Sequence, residues 1–291
     1  MVGARLNLLG GFEMQMRGGT RQSLQTRKAE LLLAYLALRP ERPQRREKLA
    51  AMFWEDSSEA QARASLRQAL SIVRRAFPGG PPVIDGQNDR IALSPDAVTT
   101  DVGEFERAIE IGSARDLTRA VVLYQGDFLE GLNVRSFSCE AWLHGERHRL
   151  RTLAIHAMLK LLNTSQDPRA EDAHVALALR ILVLDPTQEP VHQALIRLHA
   201  RRGHLSEAIR QYKQCRDTLV RELGVEPDAE TENLYRSLLL RRQSPPPHQG
   251  GGRASASQDL RRRSVDCTVL GAGLDQDQTA MTAASATAEA Q

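Results

Sequence analysis

The sequence predicts a mainly α protein in two parts, and three observations carry this prediction. Residues 1–98 have the pattern of a small sheet, three helices and a β-hairpin, whereas the apolar pattern from Asp101 onward is helical throughout. The 291 residues, 26% of them charged and 41% hydrophobic, suffice for one or two folded domains. We therefore expect a front domain over 1–98, a helical domain over 99–242 and a tail over 243–291.

The front domain begins with short strands. Residues 5–16 alternate loosely between apolar and polar and are interrupted by two glycines, and a second short run covers 22–25. This pattern is typical of a small antiparallel sheet. Thr26 is a suitable N-cap for a first helix that extends to Leu38.

Two more helices and a hairpin complete the front domain. The second helix is expected at about 45–54, with Leu49, Met52 and Phe53 facing inward. The segment 58–61 has the pattern of a capping box that opens a third helix over 58–77. Two short β runs, at 83–84 and 90–93, follow with a turn signal between them. Sheet, three helices and hairpin are the order of a winged helix-turn-helix.

The second part is predicted as helical hairpins. Asp167 and Gly203 mark turns 36 residues apart, near the ~34-residue period of tetratricopeptide repeats, and Ala208 with Tyr212 has the spacing of that repeat. From residue 243 on, Pro, Gly, Ser and Ala dominate, which predicts a disordered tail. The predicted helices cover 101–111, 115–125, 139–163, 169–184, 188–201, 205–223 and 228–241.

The net charge of +3 is unevenly distributed. Residues 1–100 hold 15 Lys and Arg against 10 Asp and Glu, whereas the helical part is close to neutral. Aromatic residues make up 4% of the chain, too few to favour a base-stacking surface for single strands. If the basic front domain binds nucleic acid, we expect duplex DNA and a helix as the reader.

Several other classes are excluded by simple patterns. The longest apolar run, 31–38, is far short of the ~20 residues of a membrane span, so no membrane contact is expected. Three widely spaced cysteines without a CxxC motif fit a reducing cytosol, and we expect a cytoplasmic protein. GxxxxGK[ST], GxGxxG and GxSxG are absent from the sequence, and no third ligand joins His144 and His148. We therefore expect neither an enzyme, nor a cofactor, nor a metal site.

The third predicted helix has two distinct faces. At about 100° per residue, an apolar stripe centred on Leu66 faces the core, and the other side carries no acidic residue. Arginine can donate two hydrogen bonds to guanine in the major groove, and glutamine can do the same for adenine. A solvated surface with no partner is the alternative. The outward residues of this helix are Arg63, Arg67, Gln68, Ser71, Arg74 and Arg75.

Four cations outside this helix are further candidates. Arg45, Arg46 and Lys48 at the start of the second helix could contact backbone phosphates, and Arg90 in the hairpin could reach the adjacent minor groove or a phosphate. Surface solubility is the alternative for each of them.

A family resemblance supports this interpretation. The front section resembles an OmpR-type winged-helix domain, and the section after Asp101 resembles the bacterial transcriptional activator domain. Together they are similar to the Streptomyces antibiotic regulatory proteins. The motifs that carry the resemblance include Thr26-Arg27-Lys28-Ala29, LLLAYLA at 31–37, ARASLRQAL at 62–70, LYQGDFL at 123–129, Leu184-Asp185-Pro186 with His192, and ELGVEP at 222–227.

The resemblance implies a transcription activator. It implies sequence-specific binding to double-stranded DNA, often at direct repeats, and contact with RNA polymerase. The helical domain is implied to supply dimerisation, giving a homodimer, or other partner contacts. Two alternatives stay open at this point: a protein-interaction scaffold, and the detached regulatory front end of a larger signalling protein of the cyclase or ATPase type.

Overall fold

A computed structural model describes residues 3–40, 42–78, 82–86, 89–94, 97–164 and 171–243. Apart from residue 243, the predicted tail lies outside these residues. The strands are β1 (Ala4–Asn7), β2 (Glu13–Met16), β3 (Arg21–Gln22), β4 (Gln44–Arg45), β5 (Ile84–Asp85), β6 (Arg90–Leu93) and β7 (Val98–Thr100). The helices are α1 (Arg27–Ala37), α2 (Arg46–Phe53), α3 (Glu59–Arg75), α4 (Asp101–Ile111), α5 (Ala114–Leu123), α6 (Phe137–Thr164), α7 (Glu171–Leu184), α8 (Glu189–Arg201), α9 (Leu205–Leu223) and α10 (Ala229–Gln243).

The N-terminal sheet has the order β3-β2-β1-β7. β1 and β2 pair antiparallel, as the interrupted alternation predicts, but β3 is shorter than the expected run and begins one residue earlier. β7 pairs parallel with β1, so that Leu6 lies opposite Thr100. β7 was not predicted, because its three residues show too little alternation and its partner strand lies at the other end of the domain.

Two of the three front helices, α1 and α3, begin where their predicted caps place them. The hydroxyl of Thr26 accepts a hydrogen bond from the backbone N–H of Ala29 at 3.2 Å. At α3, the hydroxyl of Ser58 accepts from the N–H of Gln61, and the Gln61 side chain accepts from the N–H of Ser58, both at 3.4 Å. The predicted inward stripe of α3 is buried from Ala62 to Ala76, with Phe77 partly buried.

The hairpin is a three-stranded sheet of order β4-β6-β5. β5 and β6 are the predicted hairpin, and β4, which directly precedes α2, adds a third strand. The second helix was expected to begin at about Arg45, the last residue of β4, because a strand of two residues shows no period. This strand fixes the start of α2 against the hairpin, and the N–H of Arg46 donates to the carbonyl of Asp89 at 3.0 Å.

The helices after residue 100 follow the predicted boundaries to within about two residues where the structure describes them. Residues 165–170, which include the expected start of α7, lie outside the described residues. Between α5 and α6 the chain forms an ordered loop, in which Phe128 makes an isolated antiparallel bridge to Leu9.

One apolar core extends from the N-terminal sheet into the helical part. It includes buried side chains from Ala4 to Leu195, and a smaller cluster lies around α9 and α10. The ring of Trp142 in α6 lies edge-on to Tyr35 in α1 at 4.9 Å and to Phe128 at 5.8 Å between ring centroids. Within the described residues, every helix is too short or too polar to cross a lipid bilayer.

Candidate nucleic-acid interface

The outward face of α3 is open to solvent. Arg67, Gln68, Arg74 and Arg75 are exposed and Ser71 is half-buried, whereas Leu66 and Leu70 on the opposite face are buried. In helix-turn-helix proteins the second helix of the motif enters the major groove. α3 occupies that position here, one short turn after α2.

The start of α2 and the hairpin add cations beside this face. Pairing of β4 with β6 places Arg45 directly opposite Arg90. Like charges at such a position repel one another across the strands. An anion bound between or beside them would relieve that repulsion.

A glycine allows two more guanidinium groups to converge at the hairpin. A Cβ atom at Gly86 would lie 3.1 Å from Nη2 of Arg46 and 3.9 Å from Nη2 of Arg74. Both groups therefore reach the same point of the β5 end of the hairpin, one from α2 and one from α3. A side chain at position 86 would press on Arg46.

Arg63 differs from the other arginines of α3. Its Nη2 forms ion pairs with Glu59 at 2.5 Å and with Glu47 of α2 at 3.2 Å. Arg75 donates to the hydroxyl of Ser71 from Nη2 at 3.0 Å.

The remaining candidate cations carry uncompensated charge. None of them forms an ion pair with an acidic residue in the part of the chain that the structure describes. Their charge is therefore available to an anion outside the protein. They are Arg45, Arg46, Lys48, Arg67, Arg74, Arg75 and Arg90.

A cleft of about 230 Å³ lies between α2, α3 and the hairpin. Arg46, Arg63 and Arg67 line it together with Glu47 and Asp89. The structure thus brings together the three regions that the sequence analysis singled out: the start of α2, the outward face of α3 and the hairpin.

The helical part holds the turn between α2 and α3 in place. The carboxylate of Glu55 accepts hydrogen bonds from the hydroxyl of Ser138 at 2.6 Å and from its N–H at 3.2 Å, and also from the N–H of Phe137. These bonds lower the pKa of Glu55, and the bond from the Ser138 hydroxyl has the largest effect. Ser136 donates to the carbonyl of Met52 at 2.7 Å. The first turn of α6 is therefore attached to the end of α2.

Two cysteines lie outside this surface in the described part of the chain. Cys139 and Cys215 are buried, and burial raises the pKa of the Cys215 thiol to about 12, so it is protonated at neutral pH. In the described ranges, no three His, Cys, Asp or Glu side chains are grouped as a metal would require.

Sequence reasoning missed three contributors to this surface. Gly86 leaves room for two guanidinium groups, Glu47 neutralises Arg63, and β4 places Arg45 against Arg90. Each depends on residues that are distant in sequence. The turn signal between the two predicted β runs is the Asp85-Gly86 pair, and a turn signal contains no information about the arginines around it.

Known proteins resemble the chain over most of its length. The model of the bacterial transcriptional activator domain matches residues 99–239. The transcriptional regulatory proteins MoaR1 of Mycobacterium bovis and Mycobacterium tuberculosis are each 26% identical over 255 residues, which covers 81% of this chain and 79% of theirs.

A solved structure shares the fold. The structure of Mycobacterium tuberculosis EmbR in complex with a low-affinity phosphopeptide superposes with a TM-score of 0.60 at 23% identity. The match covers 84% of this chain and 66% of that one. The mainly helical structure with its small N-terminal sheet, and this similarity, confirm the predicted fold class.

Proposed function

Because the chain is a transcriptional regulator similar to the Streptomyces antibiotic regulatory proteins, we propose that it is a sequence-specific DNA-binding activator. Its bacterial transcriptional activator domain covers residues 99–239. α3 enters the major groove, the start of α2 and the hairpin contact the flanking backbone, and the helical part contacts RNA polymerase. The observation that carries the proposal is the cationic surface assembled from α2, α3 and the hairpin.

The chemistry of this surface suits duplex DNA. Arg45 and Arg90 lie opposite each other across paired strands, and Arg46 and Arg74 converge at Gly86. At these positions they can neutralise phosphates beside the groove. On α3, the Arg67 guanidinium can donate two hydrogen bonds to one guanine. The Gln68 amide can donate one hydrogen bond to an adenine and accept one from it. Phosphate contacts would supply affinity and α3 would supply sequence preference.

The helical part suits protein contacts. Val183 on α7 is 82% exposed and Leu223 at the end of α9 is 58% exposed, and Leu179 and Val220 lie one turn before each of them. Apolar side chains on a monomer surface favour a protein partner. RNA polymerase, or a second copy of the chain in a homodimer, is the partner that the family supports.

The DNA-binding proposal is tested by selection and salt titration. The full chain is used to select bound fragments from a random duplex library, and the affinity for the enriched fragment is measured over a range of salt concentrations. For Arg67→Ala/Arg74→Ala we expect at least a tenfold loss of affinity, and a log–log salt slope reduced by about 1 for each phosphate contact removed. Arg115→Ala is the control. Arg115 is an exposed arginine on α5, and its substitution removes one positive charge, as each of the other two substitutions does.

Two results would contradict the proposal. If no fragment is enriched and the residual binding disappears with salt, the chain has no sequence specificity. If Arg115→Ala weakens binding as much as the removal of Arg67 or Arg74 does, charge alone and not the surface around α3 governs binding. The scaffold alternative predicts that the double variant leaves all partner binding unchanged while the wild type enriches no DNA.

The activator role is tested separately. Purified protein added to RNA polymerase and a promoter that carries the selected sequence should raise run-off transcription. Reduced transcription would make the chain a repressor and leave DNA binding intact.

A further inference from the structure

Some outward side chains of α3 are held by contacts within the protein, and others have no such contact among the described residues. We propose, building on the DNA-binding function proposed above, that Ala64, Arg67 and Gln68 form the base-reading patch, with Arg67 on guanine, Gln68 on adenine and Ala64 on a thymine methyl group. The other arginines of α3 hold the protein together or contact the backbone of the DNA.

Contacts within the protein occupy the other arginines. Arg63 is held between Glu47 and Glu59, Arg75 donates to Ser71, and the Arg74 guanidinium lies with that of Arg46 at Gly86. Arg63 would have to give up two ion pairs to reach a base. Arg74 is directed toward the hairpin and away from the middle of the α3 face.

Arg67 and Gln68 are not occupied in this way. Both are exposed, and neither side chain has a hydrogen-bond partner or an ion pair among the described residues. Arg67 lines the cleft that Glu47 and Asp89 also line, yet pairs with neither. Its planar guanidinium can therefore donate both hydrogen bonds to O6 and N7 of guanine. The Gln68 amide can donate to N7 and accept from the amino group of adenine.

Ala64 lies between these two side chains and one turn before them. On a helix with 100° per residue it lies about 160° from Leu66, with Arg67 about 60° to one side and Gln68 about 40° to the other. Ala64 thus occupies the middle of the outward face, and its exposure agrees with that position. A methyl side chain allows the helix backbone to approach the base pairs closely, and a thymine methyl group is its apolar partner in the major groove.

The spacing limits where the contacted bases can lie. Residues 64 to 68 span about 6 Å along the helix axis. Base pairs are spaced about 3.4 Å apart. The guanine, the adenine and the thymine should therefore lie within about four consecutive base pairs of one site.

The test compares the motifs selected by four proteins: the wild type, two variants and a control variant. The full chain, Arg67→Ala and Gln68→Ala are each used for selection from the same random duplex library, with Arg115→Ala as the control. Alanine is the best helix former, so both exposed positions keep α3 folded, which far-UV circular dichroism verifies. We expect the preference for one guanine to fall about tenfold or more in Arg67→Ala alone, and the preference for one adenine to fall similarly in Gln68→Ala alone.

Ala64 is tested by changing the DNA, with Ala64→Gly as the matched protein variant. Replacing individual thymines of the selected site by deoxyuridine removes only the methyl group. One such replacement, within about four base pairs of that guanine, should weaken binding about threefold to fivefold. In Ala64→Gly that replacement should have no effect.

The outcomes separate this inference from the proposed function. If a motif is enriched but both variants lose affinity equally for all sequences, Arg67 and Gln68 contact the backbone, and the base-reading patch is wrong while DNA-binding regulation stands. If every thymine can be replaced without loss, the role of Ala64 is wrong. If the wild type enriches no motif, the proposed function fails and this inference fails with it.

Discussion

At the residue scale, His192 shows how burial determines a protonation state. Its ring is buried in α8, with Nε2 3.0 Å from the carbonyl of Pro186 and Nδ1 2.7 Å from the amide nitrogen of Gln211. A carbonyl can only accept, so Nε2 carries the proton and Nδ1 accepts from Gln211. The ring is neutral, and burial lowers the pKa of His192.

This state predicts a loss of stability in mild acid. Below the ordinary histidine pKa of about 6.5, the unfolded chain takes up a proton that the folded His192 does not. The free energy of unfolding should therefore fall as the pH drops from 7 to 5, by at most about 1.4 kcal/mol per pH unit for this group. Urea titrations at several pH values measure it.

The matched variant is His192→Gln, which has no titrating group. Its unfolding free energy should depend less on pH over the same range, although burial also lowers the pKa of His199, which stays in the variant. Identical pH dependence of variant and wild type would contradict the assignment.

Asp101 is a second buried residue with a defined role. Its carboxylate accepts backbone N–H groups of Leu8, Leu9 and Val102 at 2.8 to 2.9 Å, and so joins the end of β1 to the start of α4. Burial raises its pKa and these donors oppose the shift. The contact spans the boundary between the strands of the front part and the first helix of the second.

Removing this acceptor should be costly. Asp101→Ala leaves buried N–H groups without a partner, and we expect it to lower the free energy of unfolding by about 3 kcal/mol. Asp101→Asn keeps one acceptor oxygen and should lose less. Chemical denaturation compares the wild type with the two variants. A loss below about 0.5 kcal/mol in the alanine variant, typical of a surface position, would contradict this role of Asp101.

At the element scale, α3 depends on its N-terminal cap. Ser58→Ala removes the acceptor for the N–H of Gln61, and we expect a loss of about 1 kcal/mol in the free energy of unfolding. Ser57→Ala is the matched control, because the Ser57 side chain has no hydrogen bond within the described residues. Equal effects of the two substitutions in thermal or urea unfolding would show that the capping box does not stabilise α3.

The elements also show which local signals were sufficient. Caps and apolar periodicity placed α1, α3, α4, α8 and α9 to within about two residues, because their information lies inside each helix. β4 and β7 were missed because two or three residues become a strand only by pairing with β6 or β1. Their existence depends on partners about 45 and 90 residues away in sequence.

At the scale of the whole molecule, the front and helical parts share one core. Trp142 packs on Tyr35 and Phe128, and Cys139 and Ser136 approach the carbonyl of Met52. Since a continuous core couples what it joins, we expect residues 3–243 to unfold in one cooperative transition. Circular dichroism and tryptophan fluorescence should give the same midpoint, and two separated transitions would contradict this.

Trp142→Ala tests the same coupling. The ring is partly buried, and its removal should lower the free energy of unfolding by about 2 kcal/mol and shift the whole transition together. Val183→Ala is the control, because that side chain is 82% exposed and should change stability little. If Trp142→Ala gives two separate transitions, the coupling through this ring is the main link between the two parts.

The sequence by itself determined the order and type of the helices, the basic face of α3 and the likeness to a family of regulators, because these are encoded in local spacing and residue type. The tertiary structure decided which of the candidate cations are uncompensated. Arg63 is neutralised by Glu47, and Arg46 meets Arg74 at Gly86, only because α2, α3 and the hairpin pack together. Coulombic attraction depends on the distance between two charges in space, and the number of residues between them in the sequence does not specify that distance.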